Sequence, residues 1–193
     1  VAEAAAQAKA LLSSEDPLLI LSGQIVPALD AVGKGFEEKR IYLPGLLMSA
    51  EAAKAAVEEI KAVLPAREGD GGDSVVIATV HGDIHDIGKN IVRLLLENYG
   101  WRVLDLGKDV PARAIADAVK RSGSRLCALS ALMTTTVPAM EETIRLLREE
   151  APDCRVLVGG AVLTEDFAKR IGADGYAPDA MGAVREADRL RVD

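Results

Sequence analysis

His85, one of two histidines, stands in the run Asp83-Ile84-His85-Asp86-Ile87-Gly88, directly after the apolar stretch Val75 to Val80. A short run rich in β-branched residues reads as a buried parallel strand, and the carboxyl ends of such strands are where open α/β sheets gather ligands. An imidazole placed there can bind a metal through one nitrogen while the other donates to a carboxylate, which fixes the tautomer and strengthens the ligand. Asp83, two residues earlier, is the candidate partner. Gly88 offers a tight turn or the close approach of a bulky ligand. The same residues admit a purely structural reading, in which Asp83 and His85 cap a helix running from Asp86 onward. Two more groups could take part. The hydroxyl-rich run Ser130-Ala131-Leu132-Met133-Thr134-Thr135-Thr136 can bond a polar ligand or cap the helix before Val137, and Gly159-Gly160 can admit a flat ligand or form a plain turn.

The elements that must position these groups alternate in the second part of the chain. Strands are expected at Val75 to Val80, Arg102 to Leu106, Arg125 to Ser130, Arg155 to Val158 and Gly175 to Ala177. Helices follow at Lys89 to Tyr99, from Pro111, at Pro138 to Glu150, Thr164 to Ile171 and Asp179 to Leu190. Gly100 suits a helix C′ position. Five βα units imply a doubly wound, flavodoxin-like (Rossmann-type) α/β sheet of order 2-1-3-4-5, whose switch point sets the His85 loop opposite the loop after strand three. Before the polar, glycine-rich break at Glu68 to Asp73, three helical patterns (Val1 to Leu12, Pro17 to about Glu38, Pro44 to Leu64) predict a small all-α bundle. Pro27 is expected to kink or divide the second of them. The domain reading is therefore 1–68 helical and 72–193 α/β.

Composition narrows the function classes. With a formal net charge of −7 and no basic stripe, the 193-residue chain lacks the footprint of a nucleic-acid binder. No contiguous apolar run approaches the ~20 residues of a membrane span and no signal-peptide pattern opens the chain, so a cytoplasmic protein without a membrane partner is expected. Cys127 and Cys154, each among strand-like residues, read as buried free thiols. The start at Val1 suggests a piece of a longer polypeptide.

Taken together, the ordered motifs resemble a family. Gly82-Asp83-Ile84-His85-Asp86-Ile87-Gly88-Lys89-Asn90, Ser130-Ala131-Leu132 and Gly159-Gly160-Ala161 carry the D-x-H-x-x-G, S-x-L and G-G signatures of the cobalamin-binding region of vitamin B12-dependent methionine synthase and its corrinoid-protein relatives. Val32 to Phe36, Tyr42-Leu43-Pro44 and Ser49-Ala50-Glu51 are similar to that family's helical cap.

The resemblance implies cobalamin as cofactor, with His85 as lower axial cobalt ligand and Asp83 and Thr136 completing a hydrogen-bonded relay. It implies that Ser130, Thr134, Gly159, Gly160, Tyr176 and Ala180 line the pocket for the cofactor's nucleotide tail, with Asp86, Ile87, Gly88 and Leu132 also in contact. Phe36, Leu43 and Leu46 are implied to shield the upper cobalt face. The expected chemistry is methyl carriage on cobalt, which alternates between Co(I) and methyl-Co(III). The favoured identity is the cofactor-binding module of a methionine synthase-type methyltransferase, unable to turn over alone, with folate and homocysteine domains and a reductive activation system as partners. The alternative is a stand-alone corrinoid shuttle for methanol, methylamines or methoxylated aromatics. An adenosylcobalamin mutase subunit would lack the helical half, a light sensor would add a DNA-binding or signalling domain, and a flavin or receiver module leaves the motifs unexplained.

Overall fold

A computed structural model describes residues 1–64 and 73–191, apart from the side chains of Asp30, Glu37, Leu43 and Asn98. The expected glycine-rich boundary therefore lies outside the described residues except for Asp73. The chain divides into two compact units, Val1–Ala66 and Arg67–Asp193.

The first unit is all helical: α1 (Ala2–Leu11), α2 (Pro17–Ile20), α3 (Val26–Glu37) and α4 (Leu43–Val63), with a π-helical turn at Leu21–Ile25. Asp16 caps α2 by accepting the Leu18 and Leu19 N–H groups, and Pro17 sits at a first-turn position where its missing N–H costs nothing. Pro27 does not divide the helix. The wider π turn just before it absorbs the missing donor, so α2 and α3 run on as one helical stretch. That stretch, Pro17–Phe36, is long and apolar enough to cross a membrane by length and composition, which contiguous-run reading did not register because Ser22, Gly23, Gln24 and Lys34 interrupt it. Within it Ile20, Leu21 and Ile25 are buried, while most of the stretch is not.

The second unit is the doubly wound sheet. Strands β1 (Ser74–Thr79), β2 (Arg102–Asp105), β3 (Leu126–Ser130), β4 (Arg155–Gly159) and β5 (Gly175–Ala177) are all parallel, in the expected order β2-β1-β3-β4-β5. Helices α5 (Ile87–Asn98), α6 (Ala112–Ser122), α7 (Val137–Glu150), α8 (Glu165–Arg170) and α9 (Ala180–Arg189) alternate with them. α5 packs with α9, and α6 with α7. β1, β3 and β4 read as continuous apolar runs because both faces are covered, whereas edge strand β2 alternates. One core joins Val76, Ala78, Cys127, Leu129, Val156 and Val158 to Ile115, Met140, Ile144 and Leu147 from α6 and α7. Gly100, with φ 90°, closes α5 as its position after the apolar pattern predicts.

Lys89 ties α5 to the sheet edge. Its side chain is 1% exposed, and Nζ lies 2.6 and 2.7 Å from the Asp105 carboxylate oxygens at the end of β2. Desolvation works against the Asp105 charge, but Lys89, the Gly107 N–H and Arg93 outweigh it and hold its pKa below the ordinary carboxylate value. Removing one partner of a buried pair strands the other charge. Asp105→Ala is accordingly expected to cost about 3–5 kcal/mol in denaturant unfolding, and pairing Lys89→Met with Asp105→Leu should recover much of that loss.

Candidate functional site

The register of the sheet lines up Thr79, Ser130, Gly159 and Ala177 in one row across four strands, at their carboxyl ends. The loop after β1 carries Asp83 and His85, and the loop after β3 carries Leu132 to Thr136. Because β1 and β3 are neighbours, these two loops meet.

Their meeting point is the Asp83 carboxylate, which is fully buried. Oδ1 accepts the His85 backbone N–H at 3.0 Å and lies 2.8 Å from His85 Nδ1. Oδ2 accepts the Leu132 N–H at 2.7 Å, the Met133 N–H at 3.3 Å and the Thr136 hydroxyl at 3.0 Å. Burial disfavours the charge, yet the bonds from Leu132, His85 and Thr136 prevail and lower the Asp83 pKa. The carboxylate therefore fixes the ring: Nδ1 carries the proton that faces Asp83, and Nε2 keeps its lone pair. No hydrogen bond occupies Nε2 among the described residues, and the His85 side chain is 47% exposed.

This arrangement displaces the capping alternatives. Asp86 stands at the N-cap of α5 without a side-chain bond, and Asp83 is spent on its own loop and on the loop after β3. Thr136 precedes α7 but does not cap it, because its hydroxyl lies within reach of Asp83 Oδ2 and of the Met133 carbonyl, 2.9 Å away. A Cβ on Gly82 would only touch its methyl group at van der Waals distance, so it is the left-handed backbone, φ 82°, that favours glycine there. Thus the turn expected at Gly88 is made by Gly82, while Gly88 lies in the first turn of α5 with open space where a Cβ would stand. The glycine pair has an internal cause: a Cβ on Gly159 would press on the Ala177 carbonyl, and one on Gly160, at φ 133°, would collide with the Ala131 backbone. Ser130 is half-buried at the end of β3, and Thr134 is exposed. The Tyr176 hydroxyl donates to the Leu163 carbonyl at 2.9 Å, and Ala180 opens α9. In the helical unit, Phe36 is 41% exposed on α3 and Leu46 is half-buried on α4, whereas the Leu43 side chain lies outside the described residues.

The donor set selects the kind of metal group. Among the described residues, no cluster of three or more His, Cys, Asp or Glu side chains could hold a bare ion. A single oriented imidazole suits a metal that arrives with its equatorial ligands already supplied by a macrocycle. Ile84 and Leu132, both beside this carboxylate, expose apolar side chains (62% and 41%) that match the flat face of such a group. The residues fit a corrinoid.

Comparison with known proteins agrees. Residues 73–185 match a family described as "B12 binding domain", and residues 1–61 match a second family of the same description. The chain belongs to the B12-binding domain family. Its cofactor is cobalamin or another corrinoid. It is 39% identical over 178 residues to dimethylamine corrinoid protein 1 of Methanosarcina acetivorans, covering 91% of this chain and 84% of that relative. The structure of the monomethylamine corrinoid protein of Methanosarcina barkeri is similar at a TM-score of 0.85 and 30% identity, over 94% of this chain and 87% of that one. A chain of the methanol:cobalamin methyltransferase complex of the same organism follows at a TM-score of 0.59 and 32% identity, covering 93% and 69%.

These relatives correct one expectation. The expected cofactor-binding module of a methionine synthase-type methyltransferase is not borne out: the first relative is named a corrinoid protein and has little length beyond what this chain covers, with no room for folate and homocysteine domains. Both kinds of protein hold the same cofactor, so the motifs they share follow the cofactor rather than the methyl donor.

Sequence reasoning also passed over Thr79, Lys89 and Asp105. A buried Lys followed sixteen residues later by an Asp is visible only once β2 is known to flank β1. The Asp83 and Asp105 shifts set an acid limit. Each carboxylate has a folded pKa below its unfolded one, so its stabilising contribution is complete above about pH 4 and is lost as pH falls through the lowered folded value. Denaturant midpoints of the wild type should therefore decline below about pH 4, and Asp83→Asn, with a lower plateau, should decline less steeply.

Proposed function

We propose that this chain is a methyl-carrying corrinoid protein that works with separate methyltransferase polypeptides, with methylated amines as the first substrate class. The observation that carries the reading is the His85 ring, with Nδ1 committed to a buried carboxylate and Nε2 left free. The match over most of both chains to dimethylamine, trimethylamine and monomethylamine corrinoid proteins supports the carrier over an enzyme module. The methanol complex makes methanol the second substrate class.

A bound corrinoid supplies a cobalt centre that accepts and donates a methyl group. His85 would hold that cobalt through Nε2. Asp83 keeps the Nδ1 proton in place, and Thr136 with the Leu132 and Met133 N–H groups keeps Asp83 charged and oriented. Because one lone pair cannot both ligate and bind a proton, His85 would use Nε2 either for the metal or for a proton, and the Asp83 carboxylate beside Nδ1 would favour a charged ring in the second case. Ser130, Thr134, Gly159, Gly160, Tyr176 and Ala180 are assigned to the nucleotide tail, Asp86, Ile87, Gly88 and Leu132 to the corrin side, and Phe36, Leu43 and Leu46 to shielding. Domain limits of 1–68 and 72–193, a reductive activation partner and a reducing, cytoplasmic setting complete the reading. The buried free thiols Cys127 and Cys154 support that setting, with burial pushing the Cys154 thiol up to about 12.

Reconstituted with hydroxocobalamin and reduced to Co(II), the wild type should show nitrogen coupling in its EPR spectrum that His85→Gly lacks. Retention of that coupling in the variant would defeat the assignment of His85 as the cobalt ligand. Methyl transfer should require an added methylamine- or methanol-specific methyltransferase, and methyltetrahydrofolate with homocysteine should not replace it. Phe36→Ala and Leu43→Ala should speed photolysis of bound methylcobalamin.

A further inference from the structure

The loop between β2 and α6 has no role in this reading, yet it contains the one unexplained backbone conformation near the site. Among the described residues, Lys39 and Asp109 are the non-glycine positions with positive φ, at 59° and 55°. Lys39 follows α3, where a left-handed residue closes a helix: its N–H returns to the Phe36 carbonyl and that of Arg40 to Gly35. Asp109 closes no helix. Left-handed backbone is disfavoured by a Cβ and tolerated best by Asn and Asp. An outlier of this kind persists where the surroundings hold it, and such positions gather at functional sites.

At Asp109 the surroundings are the motif loop itself. Its backbone N–H donates to the Asp83 carbonyl at 2.9 Å, and its Oδ1 accepts the Gly82 N–H at 2.7 Å. The same oxygen lies 2.8 Å from His81 Nδ1, an exposed pair that contributes little by itself. Gly82 is also left-handed, so two such residues, one in each loop, are joined by a hydrogen bond. The β2–α6 loop that carries Asp109 is fixed along its length. Leu106 N–H donates to Ile77, Gly107 N–H to the Asp105 carboxylate gripped by Lys89, and Val110 N–H to Thr79, while Gly107 accepts the Thr79 N–H. Thr79, fully buried, also sends its hydroxyl to the His85 carbonyl at 3.3 Å.

We propose that Asp109 is a positioning residue for His85, holding the Gly82–Asp83 backbone so that one carboxylate meets His85 on one side and Leu132, Met133 and Thr136 on the other. This rests on His85 being the cobalt ligand. The Asp109 side chain touches neither the His85 ring nor the Asp83 carboxylate and acts through the backbone that carries them.

Three full-length variants separate its two contributions. Asp109→Asn retains an αL-tolerant residue with an acceptor oxygen, Asp109→Gly retains the backbone without the acceptor, and Asp109→Ala loses both. In the apoprotein, NMR of the Gly82 and Asp83 amides and of the His85 Nδ1 proton should be near wild type for Asn and displaced for Ala, with Gly between. With hydroxocobalamin reduced to Co(II), the EPR ratio of nitrogen-coupled to uncoupled signal should fall roughly fivefold in Asp109→Ala, the size of one lost hydrogen bond, and be rescued in Asn. Wild-type NMR and EPR signatures in Asp109→Ala, even with a lowered melting temperature, would overturn the proposal. His85→Gly is the control: unchanged coupling there would remove the ligand reading itself, whereas lost coupling there with unaffected Asp109 variants would remove only the positioning role.

Discussion

A buried carboxylate is stable only when donors surround it, and Asp83 is the point at which that requirement organises this site. Its two oxygens gather donors from its own loop and from the loop after β3. Every other feature of the site serves the approach of those loops. The adjacency of β1 and β3 brings them together, Gly82 turns the first, and Gly160 lets the segment after β4 lie against Ala131. His85 is then oriented without needing close packing around its ring. A half-exposed imidazole with a fixed tautomer can both reach a metal and let go of it.

The frame beneath the site explains how so short a loop holds its shape. α5 begins only two residues after His85, and Lys89 in its first turn is anchored to Asp105 at the end of β2. Thr79 holds the His85 carbonyl and the β2–α6 loop holds the Asp83 carbonyl. The loop is thus braced by β1, β2 and α5 and read out by the loop after β3. Fixed geometry at His85 suits a cofactor whose own chemistry is reactive, because the protein then needs mainly to orient and shield it.

Local chemistry and tertiary demand disagree at identifiable residues. Thr136 has the type and position of an N-cap, yet its hydroxyl turns to Asp83, since a buried carboxylate is the stronger acceptor. Pro27 has the properties of a helix breaker, yet a π turn before it spares the helix. Gly159 and Gly160 suggest a ligand against bare backbone, and the backbone pressing on them is the protein's own. The choice of methionine synthase over a free carrier failed for a different reason: both must hold the same cofactor, so the shared motifs are blind to the methyl donor, and the names and lengths of the relatives separate them.

The sequence by itself determined the alternation of strands and helices, the doubly wound order and the D-x-H-x-x-G element, because apolar period, turn residues and ligand spacing are local properties of the chain. Asp83 and His85 were legible together for the same reason, being two residues apart. Tertiary structure alone decided that Asp83 is fully buried, that Leu132 and Met133 serve it through backbone N–H groups, that Lys89 pairs with Asp105, and that Asp109 reaches back to Gly82. Backbone donors carry no residue signature, and partners 16, 27 or 50 positions apart meet only when parallel strands fix which loops are neighbours.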